Sequence, residues 1–499
     1  MTKLLETVNH FVWGIPALLL ILFVGIWLTI RIGAPQVTLF PRALQDFLHQ
    51  FTGKRAEDPN QVSGYQALCT ALAATVGTGN IIGVAGAISI GGPGAVFWMW
   101  VCAFLGMATK YAEATLSVRY HVRSQRGEWS GGPMYMMELG LGKKWLAKVY
   151  CIFGVIAAFG VGNVTQIRAI IDSIDGAVKH LGITPFDHMN LVVAAILALL
   201  LGIMLMGGAV GIGKVAQRLV PFAAAAYILL CVAFLVIRIR VLPEVLYRIV
   251  AGAFTPQAVT GGMIGSFFQA LRIGASRGVF TNEAGMGTAA IAHGGADVSH
   301  PARQGLMGIM EVFIDTIVIC SMTALVILSS GISIDFGKDL GAYLTGQAFS
   351  TVYGGWVHIF LAAALCAFGI ATVLGWGLYG ARCAQYLFGD DFWEPFVLIQ
   401  VVFVVLGGAM QTDCVWLLAE TVNGLMAIPN LVTLICLTPE LRRITDTFRF
   451  SQGGTAAQGG TYENIHQRKS LRTVPHAKIP SPGGQSGKAG KENLSSEHR

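Results

Sequence analysis

The sequence predicts an all-α integral membrane protein with about eleven transmembrane helices, arranged as two inverted repeats of five helices after one extra N-terminal helix. Three observations lead to this fold class. The composition is strongly apolar, apolar stretches of membrane-spanning length recur along the chain, and two of those stretches are interrupted by glycine at corresponding positions. The first two observations exclude a soluble globular protein.

The composition leaves lipid as the solvent for most of the chain. Of 499 residues, 54% are hydrophobic and only 12% are charged, whereas soluble proteins carry about 25% charged residues. The net charge of +7 does not indicate nucleic acid, because basic residues gather in short loops and the C-terminal tail. The nine cysteines lie in or beside apolar stretches without CxxC spacing, which favours core packing over disulfides or zinc.

The apolar stretches are predicted to be helices, since lipid cannot satisfy the backbone of open strands and a barrel would show short alternating segments. A helix needs about 20 apolar residues to cross the hydrocarbon core. The first stretch has that length and no convincing cleavage site, so we expect a membrane helix there and not a cleaved signal peptide. The predicted spans are 11–33, 64–90, 94–119, 147–180, 190–209, 217–238, 262–291, 303–331, 356–388, 394–411 and 415–437.

Lysine and arginine in the loops predict the orientation, because short cytoplasmic loops are enriched in both. One side carries Arg42, Lys54, Arg55, Arg119, Arg123, Arg126, Lys143, Lys144, Lys214, Arg218, Arg303 and the basic C-terminal tail. The other side carries Lys3, Lys179, Arg238, Arg240, Arg248 and Lys338. We therefore expect an outside N-terminus and a cytoplasmic C-terminus in a cell membrane, in a bacterium the inner membrane.

The chain divides into four segments. Residues 1–62 are expected to form the N-terminal transmembrane helix and a cytoplasmic loop, residues 63–240 the first repeat and residues 260–440 the second. Residues 450–499 are rich in Gly, Ser and Lys and cannot bury enough apolar surface to become ordered. We expect a disordered cytoplasmic tail there and no separate soluble domain.

Two predicted spans carry clusters of glycine and polar residues that indicate broken helices. They are the run ATVGTGN at 74–80 in the first repeat and the run GVFTNEAG at 278–285 in the second. Glycine permits unwound backbone, whose freed groups must face protein or a wet cavity. Freed amides attract a carboxylate and freed carbonyls attract a cation, so one broken helix can hold both. Close helix packing explains a single such glycine, but two clusters in register favour a binding site.

Five motifs together resemble the alanine/glycine:cation symporter family. They are ATVGTGNI at 74–81, GMATKYAE at 106–113, GGPMYM at 131–136, GVFTNEAG at 278–285 and FIDT at 313–316, and the resemblance covers about residues 10–445. It implies a LeuT-type fold. It also implies symport of small neutral amino acids such as alanine, glycine or serine, driven by sodium or protons through alternating access.

The resemblance also implies which residues bind each ligand. The first broken helix is similar to that of the neurotransmitter:sodium symporters, which reads Val-Gly-x-Gly-Asn. The implied substrate-binding residues are Gly77, Thr78, Gly79, Asn80, Gln166, Phe280, Thr281, Thr372 and Trp376. The implied sodium ligands are the carbonyls of Ala73 and Val76 at one site, the Thr75 carbonyl and the Asn80 side chain at a second, and the Thr372 hydroxyl, with Asp315 as a further candidate.

Two of these assignments have a structural alternative. Gln166 is expected to contact the substrate, yet an amide inside a membrane helix also serves to join helices. Trp376 is expected to close the side-chain end of the pocket with Phe280, so that larger side chains are excluded. A tryptophan can instead belong to the aromatic belt at the membrane interface, although its place near the middle of the span argues against that.

The chain departs from the family pattern at three positions. Ala371 stands where the family has a hydroxyl, which removes one side-chain ligand from a sodium site and leaves a proton as the alternative coupling ion. Arg168 stands where a small polar residue is common, and it either alters substrate choice or faces a water-filled vestibule. Ala381 replaces a common glutamate. A decoupled transporter or an amino-acid sensor of the same fold is therefore the alternative function.

Carboxylates inside the predicted spans are functional candidates, because a charge in lipid is costly. Asp315 is expected to support the cation site and Glu311 to form an ion pair. Arg277 or Glu283 is the expected partner of Glu311 or part of a gate. Lys110 and Glu113, three residues apart, are expected to pair locally.

Other functions fit the sequence less well. The spans contain no HExxH motif, and Asp315 lacks the partner aspartate of a paired-aspartate protease, so the protein is not expected to be an enzyme. A channel would need filter segments from several symmetric repeats. The preferred amino acid and the oligomeric state stay open.

Overall fold

Helices dominate the computed structural model, which describes residue 9 and the ranges 15–52, 61–184, 186, 188–254, 267–409 and 413–453. The helices are α1 (Ile15–Ile32), α2 (Pro35–Thr38), α3 (Phe40–Thr52), α4 (Gly64–Thr75), α5 (Val84–Gly91), α6 (Gly94–Arg119), α7 (Pro133–Tyr135), α8 (Lys144–Phe159), α9 (Thr165–His180), α10 (Met189–Met206), α11 (Gly208–Ile237), α12 (Leu242–Phe254), α13 (Phe267–Asn282), α14 (Thr288–Gly294), α15 (Pro301–Val312), α16 (Ser321–Ser329), α17 (Gly341–Tyr353), α18 (Val357–Phe388), α19 (Trp393–Ala409) and α20 (Asp413–Gly453).

Short elements link these helices. The π-helical turns are Gly79–Gly83, Met136–Gly140, Gly160–Val164 and Phe313–Cys320, and the 3₁₀ turns are Ile239–Val241 and Asp390–Phe392. The strands are β1 (Val62–Ser63), β2 (Val122–Arg123), β3 (Trp129–Ser130) and β4 (Ala296–Asp297). Strand β1 pairs in parallel with β4, and β2 pairs antiparallel with β3. Apart from its first residues, up to Gly453, the tail predicted at 450–499 lies outside the described residues.

Eight helices in the described part of the chain are long and apolar enough to cross a membrane, and a ninth span forms if the bent pair Gly64–Thr75 and Gly79–Gly91 counts as one. The all-α membrane class is confirmed, whereas the predicted number of eleven is not. The N-terminal helix Pro16–Ile32 is apolar but shorter. The stretch predicted at 262–291 is not continuous, because α13 ends and α14 starts within it.

The first broken helix begins at a capping box and stops at glycine. The Ser63 hydroxyl accepts the Gln66 amide at 3.1 Å, and the Gln66 side chain accepts the Ser63 amide at 3.0 Å, which satisfies two backbone donors at the start of α4. Helix α4 ends because Val76 is extended, with ψ 92°. The chain becomes helical again at Gly79 and bends by 52°.

The second break requires glycine at two positions. Between α13 and α14, Gly285 has φ +97° and Gly287 has φ +79°, a region that side chains with a Cβ rarely occupy. Glu283 also has a positive φ, of +53°, which is uncommon for a residue other than glycine. The break predicted from the GVFTNEAG run therefore exists.

Small residues let α15 lie close against α6. A Cβ on Gly308 would lie 2.8 Å from the Lys110 carbonyl, and one on Gly305 would lie 2.1 Å from the Thr115 hydroxyl. Packing of this kind holds helices together in lipid, where the hydrophobic effect gives no net attraction between them. The first break lies where two apolar clusters meet, since Val76 belongs to one and Ala74 to the other.

Candidate functional site

The first break releases two backbone carbonyls. The Gly77 amide donates to Asn80 Oδ1 at 2.8 Å, and the Asn80 amide donates to the Gly77 carbonyl at 3.3 Å. In a continuous helix these two amides would bond to the carbonyls of Ala73 and Val76, four residues back. Both carbonyls are thereby left for another donor or a cation, in a region where lipid offers no partner.

Three residues predicted to bind the substrate, Thr78, Gln166 and Thr372, lie together beside Gly77. The Thr78 hydroxyl donates to Gln166 Oε1 at 3.1 Å, and Gln166 Nε2 donates to the Val161 carbonyl at 3.1 Å. A methyl group on Gly77 would lie 2.6 Å from the Thr372 hydroxyl and 3.9 Å from Gln166 Oε1. The first break, α9 and α18 therefore meet at one point.

The second broken helix approaches the same segment. A methyl group on Gly79 would lie 3.6 Å from the Thr281 hydroxyl, which donates to the Arg277 carbonyl at 2.7 Å. The neighbouring Phe280 is half-buried and packs against the apolar cluster that contains Trp376. Thr75, at the end of α4, donates its hydroxyl to the carbonyl one turn back, at 3.2 Å.

Asp315 joins the two breaks. It is fully buried in the π-helical turn after α15. Its Oδ1 accepts Asn80 Nδ2 at 2.7 Å and its Oδ2 accepts the Thr316 hydroxyl at 2.7 Å. The Thr316 oxygen in turn accepts Asn282 Nδ2 at 3.2 Å. One carboxylate therefore connects the first broken helix to the last residue of α13.

Trp376 is buried on α18, one turn after Thr372, with 1% of its surface exposed. Its indole nitrogen donates to Glu283 Oε1 at 3.1 Å. A methyl group on Gly162 would lie 2.2 Å from Trp376 Cβ, so the ring lies directly on the π-helical turn before α9. This burial does not fit an exposed position in the aromatic belt at the membrane interface.

The arrangement so far comprises two broken helices that face each other, with released carbonyls, hydroxyls and amides at the breaks. The sequence profile of the sodium:alanine symporter family matches residues 1–458. The chain belongs to this family. It is therefore a cation-coupled amino-acid symporter and not an enzyme.

Named relatives agree with this membership. The symporter is 41% identical over 444 residues to the sodium/alanine symporter AgcS of Methanococcus maripaludis, with 87% of this chain and 94% of that protein covered. It is 36% identical over 438 residues to the amino-acid carrier protein AlsT of Bacillus subtilis, with 87% and 90% covered. It is also 36% identical over 437 residues to the probable sodium/glutamine symporter GlnT of Bacillus subtilis, with 86% and 87% covered.

A solved structure identifies the fold. The crystal structure of MhsT in complex with L-phenylalanine matches 77% of this chain and 97% of that chain, with a TM-score of 0.52 and 16% identity. The symporter thus has the LeuT-type fold that the sequence predicted.

The structure corrects two ion pairs predicted for the symporter. Glu311 Oε1 pairs with Lys110 Nζ at 2.9 Å and its Oε2 contacts His293 Nε2 at 2.9 Å, so neither Arg277 nor Glu283 is its partner. Arg277 pairs instead with Asp339 at 3.2 Å. The local pair of Lys110 with Glu113 was wrong, because helical spacing brings the two side chains to one face but α15 supplies a closer carboxylate.

Glu113 has another role in the symporter. Its Oε1 accepts the amides of Gly285 and Gly287 at 3.1 and 3.0 Å, and Asn430 Nδ2 at 2.7 Å. The unwound backbone of the second break is therefore satisfied by a side chain of α6. Sequence reasoning missed this role, although a carboxylate inside a predicted span is a functional signal by itself.

Arg168 is paired within its own helix. It contacts Asp172 at 2.9 Å, one turn later on α9, and its side chain is 35% exposed. The cost of a charge in the membrane is reduced by this partner. The arginine therefore does not need a ligand to be tolerated.

An open cavity lies away from the two breaks. It has a volume of about 640 Å³ and is lined mostly by apolar side chains, among them Phe104 and Ile317, from α1, α3, α6 and the turn Phe313–Cys320, with Gln36 of α2 as a polar member. Phe104 is 42% exposed, so this cavity opens on the surface of the protein. At the first break, by contrast, Thr78 and Gln166 touch each other directly.

Proposed function

We propose that the symporter takes up small neutral amino acids, such as alanine, glycine or serine, with Na⁺ as the coupling ion and by alternating access. The convergence at the first break is the observation that supports this most. Two released carbonyls, the Thr78–Gln166 contact and the Thr372 hydroxyl come together at the first break. Carbonyl and hydroxyl oxygens suit a hard cation, and freed amides suit a carboxylate.

The amino acid binds between the two breaks. Its carboxylate meets the backbone and side chains of the segment Gly77–Asn80, where a half-helix begins. Its ammonium group meets the carbonyls near Phe280 and Thr281. Gln166 adds a side-chain amide that can donate and accept. The contact of Gly79 with Thr281 supports this, because it places both breaks within reach of one small molecule.

The side-chain end of the pocket is closed by Trp376 and Phe280. A wall of two aromatic rings favours a methyl or hydroxymethyl side chain and rejects larger ones sterically. Relatives named for alanine and for glutamine are 41% and 36% identical to this chain, so side-chain size is a property that varies within the family. The burial of Trp376 supports small substrates here.

Sodium enters as a co-transported ion at two places. The carbonyls of Ala73 and Val76 and the Thr372 hydroxyl form the first site. The Thr75 carbonyl and the Asn80 side chain form the second, with the carboxylate of Asp315 beside it. Ala371 contributes no hydroxyl to the first site, so a proton is the alternative coupling ion.

Cation binding orders the segment Ala73–Asn80 and completes the amino-acid site, which couples the two ligands thermodynamically. One helix bundle then rocks against the other to open the site inward. The protein lies in a bacterial inner membrane. Its N-terminus is on the outer side and its C-terminus is in the cytoplasm. The richer lysine and arginine content of the cytoplasmic loops supports this placement.

Uptake of labelled alanine into proteoliposomes, with sodium and proton gradients imposed separately, tests the proposal. Accumulation that needs an inward sodium gradient is the expected result, and Thr372 then suffices without a hydroxyl at Ala371. Accumulation with a proton gradient alone would contradict sodium coupling. Alanine binding without accumulation in either gradient would contradict transport and favour a sensor.

A further inference from the structure

We propose that Glu283 is a positioning residue that sets the size limit of the amino-acid pocket, because its carboxylate holds the indole of Trp376. This inference rests on the proposed function, in which Trp376 is the wall of the pocket. It adds a residue of the second break that controls where that wall stands.

On one side, Trp376 packs directly against Gly162, which has no side chain. A methyl group there would lie 2.2 Å from Trp376 Cβ, 2.4 Å from Cγ and 2.8 Å from Cδ2. Helix α18 and the turn Gly160–Val164 therefore approach as closely as glycine allows. This contact fixes the root of the side chain and leaves the far edge of the ring to be held by another group.

Glu283 supplies that group. Trp376 Nε1 donates to Glu283 Oε1 at 3.1 Å. An indole can only donate, and a buried donor needs an acceptor. Trp376 is 1% exposed and Glu283 is 4% exposed, so water competes little for either atom and the bond fixes the direction of the ring.

The backbone of the break aims the carboxylate at the ring. Glu283 follows the last residue of α13 and has φ +53°, and its second oxygen accepts the Thr288 hydroxyl at 2.6 Å. The carboxylate therefore spans the break, from the end of α13 to the first residue of α14. Thr281, a proposed substrate contact, lies only two residues earlier. A change in the break on substrate binding would move the wall with it.

The consequence concerns selectivity more than affinity for alanine. Without the acceptor, the indole loses its directional restraint, and the ring can tilt away from the pocket. Larger side chains such as leucine then enter, while the backbone contacts of the amino acid persist. The charge of Glu283 is not required for this role, because an amide oxygen also accepts from an indole.

The experiment measures kcat/KM for alanine and for leucine in proteoliposomes, using the full chain. E283A is expected to lower the alanine-to-leucine ratio by about tenfold, mainly through KM for leucine. W376F removes the same hydrogen bond and should match it, and the double variant should add little further. E283Q should restore the native ratio. E394A, which removes a carboxylate from an exposed pair with Arg126, is the matched control and should keep it.

W376A separates this inference from the proposed function. If W376A admits leucine while E283A and W376F keep the native ratio, positioning by Glu283 is wrong and the pocket stands. If W376A also keeps the ratio, Trp376 is not the wall, and the proposed pocket is wrong. If E283Q behaves like E283A, charge is responsible and the hydrogen-bond inference is overturned. Thermal unfolding of each variant confirms folding, and E283Q and W376F keep nearly the native shape.

Discussion

Lys110 is a fully buried cation held by a chain of polar side chains. Its Nζ pairs with Glu311 at 2.9 Å, and Glu311 also contacts His293 at 2.9 Å. His293 Nδ1 lies 2.7 Å from Gln304 Nε2. A buried pair of this kind costs desolvation on both sides, yet removing one partner leaves an uncompensated charge. The pair therefore affects the stability of the folded protein mainly when one of its partners is removed.

Lys110→Met is expected to destabilise the folded protein by about 3–5 kcal/mol, because Glu311 remains buried without its cation. Unfolding in detergent measures this loss. Arg126→Met is the matched control: it breaks a pair whose side chains are 45% and 43% exposed, and exposed pairs contribute about 0–1 kcal/mol. Equal losses in the two variants would contradict a structural role for the buried pair.

The second break depends on backbone that only glycine adopts without strain. A Cβ on Gly287, which has φ +79°, would lie 2.4 Å from Pro133 Cγ and 2.8 Å from Asn430. Gly331 has nearly the same backbone, with φ +80°, and open space around it. Alanine substitutions at Gly287 and Gly331 therefore separate the cost of backbone strain from the cost of steric overlap.

Gly287→Ala is expected to reduce alanine uptake at least about tenfold, since both strain and overlap displace the break. Gly331→Ala carries only the backbone strain, of about 1–2 kcal/mol, and should keep most of the uptake. The measurement is initial uptake rate per folded protein in proteoliposomes. Similar losses for both variants would show that the break has no special requirement for close packing.

His300 caps the start of α15 outside the membrane-spanning helix. Its Nδ1 accepts the Ala302 amide at 3.1 Å. Burial, together with the charge of Arg303, lowers the pKa of His300 from 6.5 to about 4. The folded protein therefore binds fewer protons than the unfolded chain between these values. Stability from this group is present above pH 6.5 and falls as the pH drops towards 4.

His300→Asn should remove this pH dependence, because an asparagine accepts the cap bond at any pH. Between pH 7 and pH 5, the native protein should lose about 1 kcal/mol more stability than the variant, after allowance for solvent screening of a partly exposed group. Thermal unfolding at the two pH values is the measurement. Parallel curves for both proteins would contradict the cap assignment.

Much of the architecture could be predicted from the sequence, because composition and glycine placement act locally. Apolar stretches predicted the helices, and the runs at 74–80 and 278–285 predicted both breaks. The predicted number of eleven spans is not confirmed, because eight helices of the described residues, or nine with the bent pair, are long and apolar enough to cross a membrane. Hydropathy counts apolar residues but not helix continuity, and α13 ends at Asn282 inside the stretch predicted at 262–291.

The contacts between distant segments were harder to predict. Helical spacing suggested Lys110 with Glu113, whereas the partner of Lys110 is 201 residues away in the sequence. Trp376 and Glu283 are 93 residues apart. Such pairs depend on how α6, α15 and α18 pack, which no local pattern encodes. The role of each predicted ligand at the first break stays a prediction.

Asn80 tests whether one broken helix serves both ligands. Its Oδ1 holds the Gly77 amide and its Nδ2 holds Asp315, so Asn80→Ala releases the break from both sides. Asn163→Ala is the matched control, because it also removes a buried amide, one that donates to the Gln400 carbonyl at 2.9 Å.

The measurement is binding of labelled alanine to the purified protein over a range of sodium concentrations. Asn80→Ala should weaken alanine binding by about tenfold, the loss expected for buried hydrogen bonds. It should also raise the sodium concentration needed for half-maximal binding, since coupled ligands weaken together. Unchanged values for both alanine and sodium would contradict a shared site at the first broken helix.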